Sequence, residues 1–118
     1  MDKAKNKYDL EERTAKLGEC VINFCKTLKQ DNVSRPVVNQ LVRSATSIGA
    51  NYVEANGASS KKDFRNKIFI CKKESQETKH WLRMMASCFP EEKEKARELW
   101  QECQELTLIF HKIAASSA

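Results

Sequence analysis

One pair of residues has the type and spacing of metal ligands. Glu77 and His80 form a Glu-x-x-His motif, which places a carboxylate and an imidazole on one turn of a helix. A di-iron bundle needs two such motifs and two further glutamates, but the only other histidine, His111, has Leu108 three residues before it. On the apolar pattern described below, His80 also points away from the buried side of its helix. The sequence therefore predicts no metal site and no cofactor.

Five cysteines could supply a nucleophile, a disulfide framework or a zinc site. None lies in a C-x-x-C pair, and Cys71 and Cys103 occupy apolar positions where a thiol is buried and inert. The three glycines are isolated, so no glycine-rich loop is available to bind phosphate. We therefore expect a protein that is not an enzyme. Its thiols, without a pairing pattern, are typical of the reducing cytoplasm.

Positive charge is concentrated in one stretch of the chain. Residues 61–83 contain eight Lys or Arg against three acidic residues, whereas residues 91–105 contain three Lys or Arg against six acidic residues. Basic stretches attract phosphate backbones, although many are only the solvated face of a helix. The candidate contacts to RNA or DNA in this stretch are Lys61, Lys62, Arg65, Lys72, Lys73, Lys79 and Arg83.

Three of these residues, Arg65, Lys72 and Lys79, recur at seven-residue spacing. In a helix this spacing gives one column of charge beside the buried face, whereas Lys73 and Arg83 lie farther out. No aromatic residue alternates with the cations of the column. We therefore expect phosphate contacts with little sequence preference.

Four apolar segments must position these charged residues. In each segment the apolar residues alternate at spacings of three and four, which is the pattern of helices packed at shallow angles. It predicts helices at about residues 9–31, 35–56, 61–87 and 90–115. Because the connections are short, consecutive helices must be antiparallel. We predict a single all-α domain over residues 1–118, an antiparallel up-down four-helix bundle. The buried positions of the third helix are Phe64, Ile68, Cys71, Ser75, Thr78, Leu82 and Met85.

Polar side chains interrupt the apolar pattern of the second and third helices. Ser44, Ser47, Asn51 and Glu54 form a stripe beside the apolar positions of the second helix. Ser75 and Thr78 replace apolar residues in the third. Buried polar groups need hydrogen-bond partners. We interpret these residues as an interhelical network that fixes the register of the two helices. A ligand or nucleotide pocket is the alternative.

Large apolar residues outside the pattern indicate self-association. They are Phe69, Ile70 and Trp81 in the third helix and Trp100, Leu108 and Ile109 in the fourth. Apolar surface beyond the core is usually covered by another subunit, and the alternative is that unequally tilted helices bury wider stripes. The sequence has no run of about 18 apolar residues and begins with a charged segment, so we expect no membrane contact and a cytoplasmic protein.

The segment Ser44–Asn56, SATSIGANYVEAN, resembles the signature of a family of small bacterial proteins. Its members are encoded in intervening sequences of the large-subunit ribosomal RNA gene. SKKDF at residues 60–64 and CKKESQETKHWL at residues 71–82 fit the same pattern, and the resemblance covers roughly residues 8–115. The chain has Glu54-Ala55 where many members have Glu-Gly, which affects the conformation expected for the second connection.

The resemblance implies an up-down bundle that assembles as a homopentamer. A relative, the accessory variability determinant of diversity-generating retroelements, is a basic pentamer that binds nucleic acid and a reverse transcriptase. By that analogy Arg35 or Arg43 of the second helix would join the basic residues of the third helix as nucleic-acid contacts. We therefore expect a non-catalytic, oligomeric binding module for RNA or DNA. The alternative is a scaffold that docks a protein encoded nearby, either an acidic protein or one resembling a reverse transcriptase.

Overall fold

Four α-helices follow one another in the computed structural model, which describes residues 9–117. Helix α1 spans Leu10–Lys26, α2 spans Ser34–Asn56, α3 spans Lys61–Cys88 and α4 spans Lys93–Ser116. A 3-10 turn at Pro90–Glu92 leads into α4, and no strand occurs within the described residues. The short connections make successive helices antiparallel. The prediction of an all-α, up-down four-helix bundle is confirmed, while residues 1–8 and 118 of the predicted domain lie outside the described range.

The connection between α1 and α2 differs from the prediction. Helix α1 ends at Lys26 and not near residue 31. Asp31 instead accepts hydrogen bonds at the start of the next helix. Its Oδ1 accepts hydrogen bonds from the backbone nitrogens of Val33 and Ser34, the latter at 2.8 Å. Leu28 belongs to the connection and still packs against the core. Likewise, Pro90 begins a 3-10 turn and not the first turn of α4.

Helix α3 begins at Lys61, as predicted, and capping residues fix its start. Ser60 Oγ accepts a hydrogen bond from the backbone nitrogen of Asp63 at 3.0 Å. The Asp63 carboxylate in turn accepts from the backbone nitrogen of Ser59 at 3.3 Å, one residue earlier than in a standard capping box. These bonds fix the first turn of the helix that carries more basic residues than any other.

The core contains the residues predicted from the spacing of three and four. In α3 the residues Ile68, Cys71, Ser75, Thr78, Leu82 and Met85 are buried, and Phe64 is half-buried at the end of the bundle. The large side chains of Leu41 and Ile48 from α2 and of Leu106 and Phe110 from α4 complete the centre. This core holds α3 and α4 side by side with a fixed register.

The packing of α1 is uneven. It lies close against α2, where a Cβ added to Gly49 would be 3.2 Å from Thr14 Oγ1. Its approach to α4 is looser and is bridged by Arg13, whose guanidinium binds Glu102 through two hydrogen bonds of 2.6 and 2.9 Å and Glu105 at 2.6 Å. The hydrogen bonds to Glu102 raise the pKa of Arg13.

The large apolar residues outside the predicted pattern have different environments. Trp81, Trp100 and Ile70 are half-buried, and both tryptophans pack against the core. Phe69 and Leu108 are exposed, at 43% and 58% of their surface. These off-pattern residues therefore leave less apolar surface for self-association than the sequence suggested. None of the helices within residues 9–117 is long and apolar enough to cross a bilayer.

Candidate functional site

The two basic residues expected on α2 lie apart from those of α3. Arg35 is exposed at the start of α2, where it donates to Asn32 Oδ1 at 3.3 Å. Arg43 is engaged by two carboxylates of α3, Glu77 and, at 3.4 Å, Glu74. Because these two carboxylates neutralise its charge, Arg43 links α2 to α3 and is less available to bind phosphate.

The predicted column of Arg65, Lys72 and Lys79 lies along the boundary between α3 and α4. All three residues are half-buried. Lys72 Nζ is 3.0 Å from His111 Nδ1, and Lys79 Nζ donates to Gln104 Oε1 at 2.6 Å. Within residues 9–117, no carboxylate pairs with any of the three. Among the described residues, no carboxylate therefore neutralises the charge of the column, although the Lys72 and Lys79 side chains contact α4.

The remaining basic candidates, Lys61, Lys62, Lys73 and Arg83, are exposed on α3. At the end of the column nearest the start of α3, the Arg65 guanidinium lies 5.2 Å from the centroid of the Phe69 ring. Its Nε atom is buried and has no acceptor among the described residues. This arrangement leaves a cation beside an exposed aromatic ring.

The charged residues of α4 lie on two faces of the helix, and the net charge of residues 91–105 does not show this. Glu102 and Glu105 face α1 and bind Arg13, and Glu98 lies 3.7 Å from Lys95 on the same side. Lys93 and Arg97 instead face the end of α3. The glutamates of α4 that form ion pairs thus lie away from the basic face that α3 and α4 form together.

Lys93 and Arg97 border a groove of about 340 Å³ between the end of α3 and the start of α4. Arg83 and Trp100 also line the groove, together with the smaller apolar side chains Leu82, Ala86 and Ala96. Lys79 Nζ lies 5.1 Å from the centroid of the Trp100 ring. Sequence reasoning missed Lys93, Arg97 and Trp100 as site residues. Their spacing of four and three along α4, opposite Arg83 across a short connection, was the available signal.

The predicted polar network between α2 and α3 forms only in part. Thr78 Oγ1 is hydrogen-bonded to Ser44 Oγ across the helices at 2.9 Å. Ser47, Asn51 and Ser75 donate to carbonyls of their own helices: Ser47 Oγ to Arg43, Asn51 Nδ2 to Ser47 and Ser75 Oγ to Cys71. These three residues need no partner on the facing helix, so the interpretation of them as interhelical links is wrong. The Ser44–Thr78 bond is the part of the predicted polar contact that forms.

Glu54 also differs from the prediction, because its side chain is 58% exposed. It accepts a hydrogen bond from Lys67 Nζ at 2.6 Å, and this bond raises the pKa of Lys67. Glu54 is exposed because it lies in the last turn of α2, where a carboxylate can reach solvent. The pair has surface exposure and contributes little to stability.

The Glu-x-x-His motif and the cysteines have ordinary structural partners. A hydrogen bond from Trp81 Nε1 and the nearby Arg43 lower the pKa of Glu77. His80 is exposed, as expected, with its ring against Trp81. Nowhere in residues 9–117 do three His, Cys, Asp or Glu side chains gather in a group that could hold a metal ion. Burial raises the pKa of Cys71 and of Cys103 to about 12, so both thiols are protonated at neutral pH.

Comparisons with known proteins agree with this architecture. The chain is similar to a solved protein of unknown function from the S23 ribosomal protein family of Bacteroides thetaiotaomicron VPI-5482, with 29% sequence identity and a TM-score of 0.79. The similarity covers 88% of this chain and 96% of that one. No curated protein matches the sequence. The model of the 23S rRNA-intervening sequence proteins matches residues 6–112, in agreement with the resemblance carried by the Ser44–Asn56 segment. The chain therefore belongs to the 23S rRNA-intervening sequence protein family.

Proposed function

We propose that the protein binds RNA or DNA in the cytoplasm through the surface that α3 and α4 form together. The observation that carries the proposal is the charge of this surface. Arg65, Lys72, Lys79 and Arg83 lie along it, and none of them pairs with a carboxylate in the part of the chain that the structure describes. Cations that are not neutralised within the protein are available to phosphate.

Three basic residues elsewhere in the bundle contrast with this surface. Arg13 binds glutamates of α4, Arg43 binds glutamates of α3, and Lys67 binds Glu54. Each of these cations links two helices of the bundle. The α3–α4 surface instead presents its charge outward or toward neutral partners such as Gln104. A ligand with regularly spaced negative charge complements this arrangement.

Self-association would strengthen such binding. In a homo-oligomer, for which five copies are favoured by the family resemblance alone, the same basic surface repeats with the symmetry. Individually weak phosphate contacts then add through their effective concentration. This part of the proposal depends on the exposed Phe69 and Leu108, which a second copy would cover.

A protein-docking scaffold is the second candidate. The observation that favours it is the exposed Phe69 ring beneath the Arg65 guanidinium, since an aromatic ring next to an arginine is typical of protein interfaces. On this hypothesis the same surface binds an acidic protein. The two candidates differ in whether nucleic acid alone is sufficient as a ligand.

The test compares two variants with the same change in charge. Arg65→Gln/Lys72→Gln removes two cations from the α3–α4 surface. Lys26→Gln/Lys29→Gln removes two exposed cations from the end of α1 and the connection that follows it. Labelled RNA and DNA are titrated with each folded variant at several salt concentrations. For duplex DNA, the surface variant should lower the log–log salt slope by up to about 1.8, and the control variant should leave it unchanged.

Two outcomes contradict the proposal. One is a parent protein that shows no salt-sensitive binding to either nucleic acid. The other is a surface variant that binds as the control variant does, which would show that the α3–α4 surface is not the contact. Binding of an acidic protein by the same parent, lost in Arg65→Gln/Lys72→Gln, would then support the scaffold.

A further inference from the structure

The groove at the Pro90 end of the α3–α4 surface combines an aromatic side chain with several cations. Trp100 lines it together with Arg83, Lys93 and Arg97. Along the column of Arg65, Lys72 and Lys79, the third helix supplies an aromatic ring only beside Arg65, where Phe69 lies 5.2 Å from the guanidinium. At the Pro90 end the neighbouring helix supplies the indole, and this juxtaposition arises only in the folded bundle.

We infer that this groove holds one unpaired nucleotide, with its base beside Trp100 and its phosphates on Arg83, Lys93 and Arg97. The inference rests on the proposed function and makes it more specific. It names single-stranded nucleic acid as the preferred ligand. The column alone led us to expect phosphate contacts without base contacts. At this end of the surface we instead expect contact with a base.

The size and lining of the groove fit a nucleotide. Its volume of about 340 Å³ lies near the lower limit of ligand pockets, which are roughly 300–1,000 Å³, so it admits one small group and not a duplex. Leu82, Ala86 and Ala96 give it an apolar part against which a base can pack, and the Gln101 amide can donate to or accept from a base edge. Planar guanidinium groups and an indole are the surfaces on which unpaired bases stack.

The charges around the groove also favour a phosphorylated ligand. Within residues 9–117, Arg83, Lys93 and Arg97 have no carboxylate partner, and the ammonium group of Lys79 lies beside the Trp100 ring. The glutamates of α4 that take part in ion pairs lie on the side of α1. Lys79 does not line the groove, but its ammonium group adds positive charge beside the indole.

Strand preference follows from the geometry of the ligand. A paired base is stacked within its duplex, so its face is not available to an indole unless the base is flipped out at a cost of a few kcal/mol. An unpaired base can enter the groove without that cost. Duplex nucleic acid should still bind to the remainder of the basic surface through its phosphates alone.

The experiment uses Trp100 as a reporter. The chain has two tryptophans, so Trp81→Phe leaves Trp100 as the only indole. This variant is titrated with a single-stranded oligonucleotide and with the duplex that the oligonucleotide forms with its complement. The single strand should quench the Trp100 fluorescence, and the duplex should bind with little quenching.

A second measurement removes the indole. Trp100→Leu should weaken single-strand binding by about 5- to 150-fold, the range found for the loss of one stacked base, and leave duplex binding unchanged. Trp81→Leu is the matched control, because Trp81 is half-buried on the same bundle but does not line the groove. Should Trp100→Leu not fold, Arg97→Gln replaces it, and it should reduce single-strand binding more than Lys73→Gln on the outer face of α3 does.

The outcomes separate this inference from the proposed function. Salt-sensitive binding that is equal for the two strand states and insensitive to Trp100→Leu or Arg97→Gln overturns the nucleotide groove and leaves the basic surface as the binding site. The absence of any nucleic-acid binding by the parent overturns both. A single-strand preference that disappears in Trp100→Leu and persists in Trp81→Leu establishes the groove.

Discussion

The hydrogen bond between Thr78 and Ser44 allows the contribution of the α2–α3 contact to be measured. Both residues are 0% exposed, and their hydroxyl oxygens are 2.9 Å apart. Thr78 Oγ1 also lies 2.8 Å from the carbonyl oxygen of Glu74, whereas the other contact of Ser44 Oγ, to Leu41, is long at 3.3 Å. Thr78→Val keeps the shape of the side chain and leaves Ser44 with that long contact alone.

The expected cost follows from the partner that is left. An unsatisfied buried hydroxyl costs about 1–3 kcal/mol, so Thr78→Val should lower the free energy of unfolding by about 2 kcal/mol. Ser44→Ala should cost about 1 kcal/mol, because Thr78 keeps its bond to the Glu74 carbonyl. The double variant leaves no orphaned hydroxyl and should cost less than the sum of the two by about 1 kcal/mol.

Urea unfolding of the parent, the two single variants and the double variant measures this coupling. Thr107→Val is the control, because the Thr107 hydroxyl donates only to the Cys103 carbonyl of its own helix at 2.7 Å. Combined with Ser44→Ala, it should be additive within about 0.5 kcal/mol. Additivity of Thr78→Val with Ser44→Ala would refute the reasoning, since it would mean that the two hydroxyls stabilise the bundle independently.

Three further predictions concern packing, ionisation and assembly. Gly18→Ala should stabilise the protein by about 0.5–1 kcal/mol through helix propensity. Gly49→Ala should not, because its Cβ would lie 3.2 Å from a threonine hydroxyl oxygen of α1; equal urea midpoints for the two variants would contradict the close approach. Above the ordinary thiol pKa of 9.0, the unfolded chain loses thiol protons that the fold keeps, since burial raises the pKa of Cys103 to about 12. The free energy of unfolding should therefore fall with rising pH in this window, and Cys103→Ala should reduce the slope by up to about 1.4 kcal/mol per pH unit; an unchanged slope would count against a protonated buried thiol. Light scattering should give a mass several times 13.6 kDa, which Phe69→Ser/Leu108→Ser should lower, and a monomer mass for the parent at every concentration would exclude self-association.

The four helices could be predicted because burial in a bundle is periodic. Ile68, Cys71 and Leu82 are buried where the spacing of three and four places them. The end of α1 could not be predicted in the same way. Leu28 is as apolar as a helical residue and covers the core from a connection, and only the hydrogen bonds of Asp31 show that the helix has ended.

The candidate site could be predicted only as far as a single helix determines it. The seven-residue spacing located Lys72 and Lys79 beside the buried face of α3. The spacing of Arg97 and Trp100 places them on one side of α4, but it does not say whether that side faces α3. A charge count over a stretch of sequence averages both sides of a helix, and here the sides have opposite signs.

The uneven attachment of α1 has a consequence for how the bundle opens. Helix α1 is the shortest helix, packs closely only against α2, and is joined to α4 by the Arg13 ion pairs. Elements with few close neighbours detach at a lower free energy than global unfolding requires. We expect the amides of α1 to exchange with deuterium as one cooperative unit before those of α3. A detached α1 uncovers the sides of α2 and α4 that it had covered, so exchange of this helix between two copies offers a route to domain-swapped dimers.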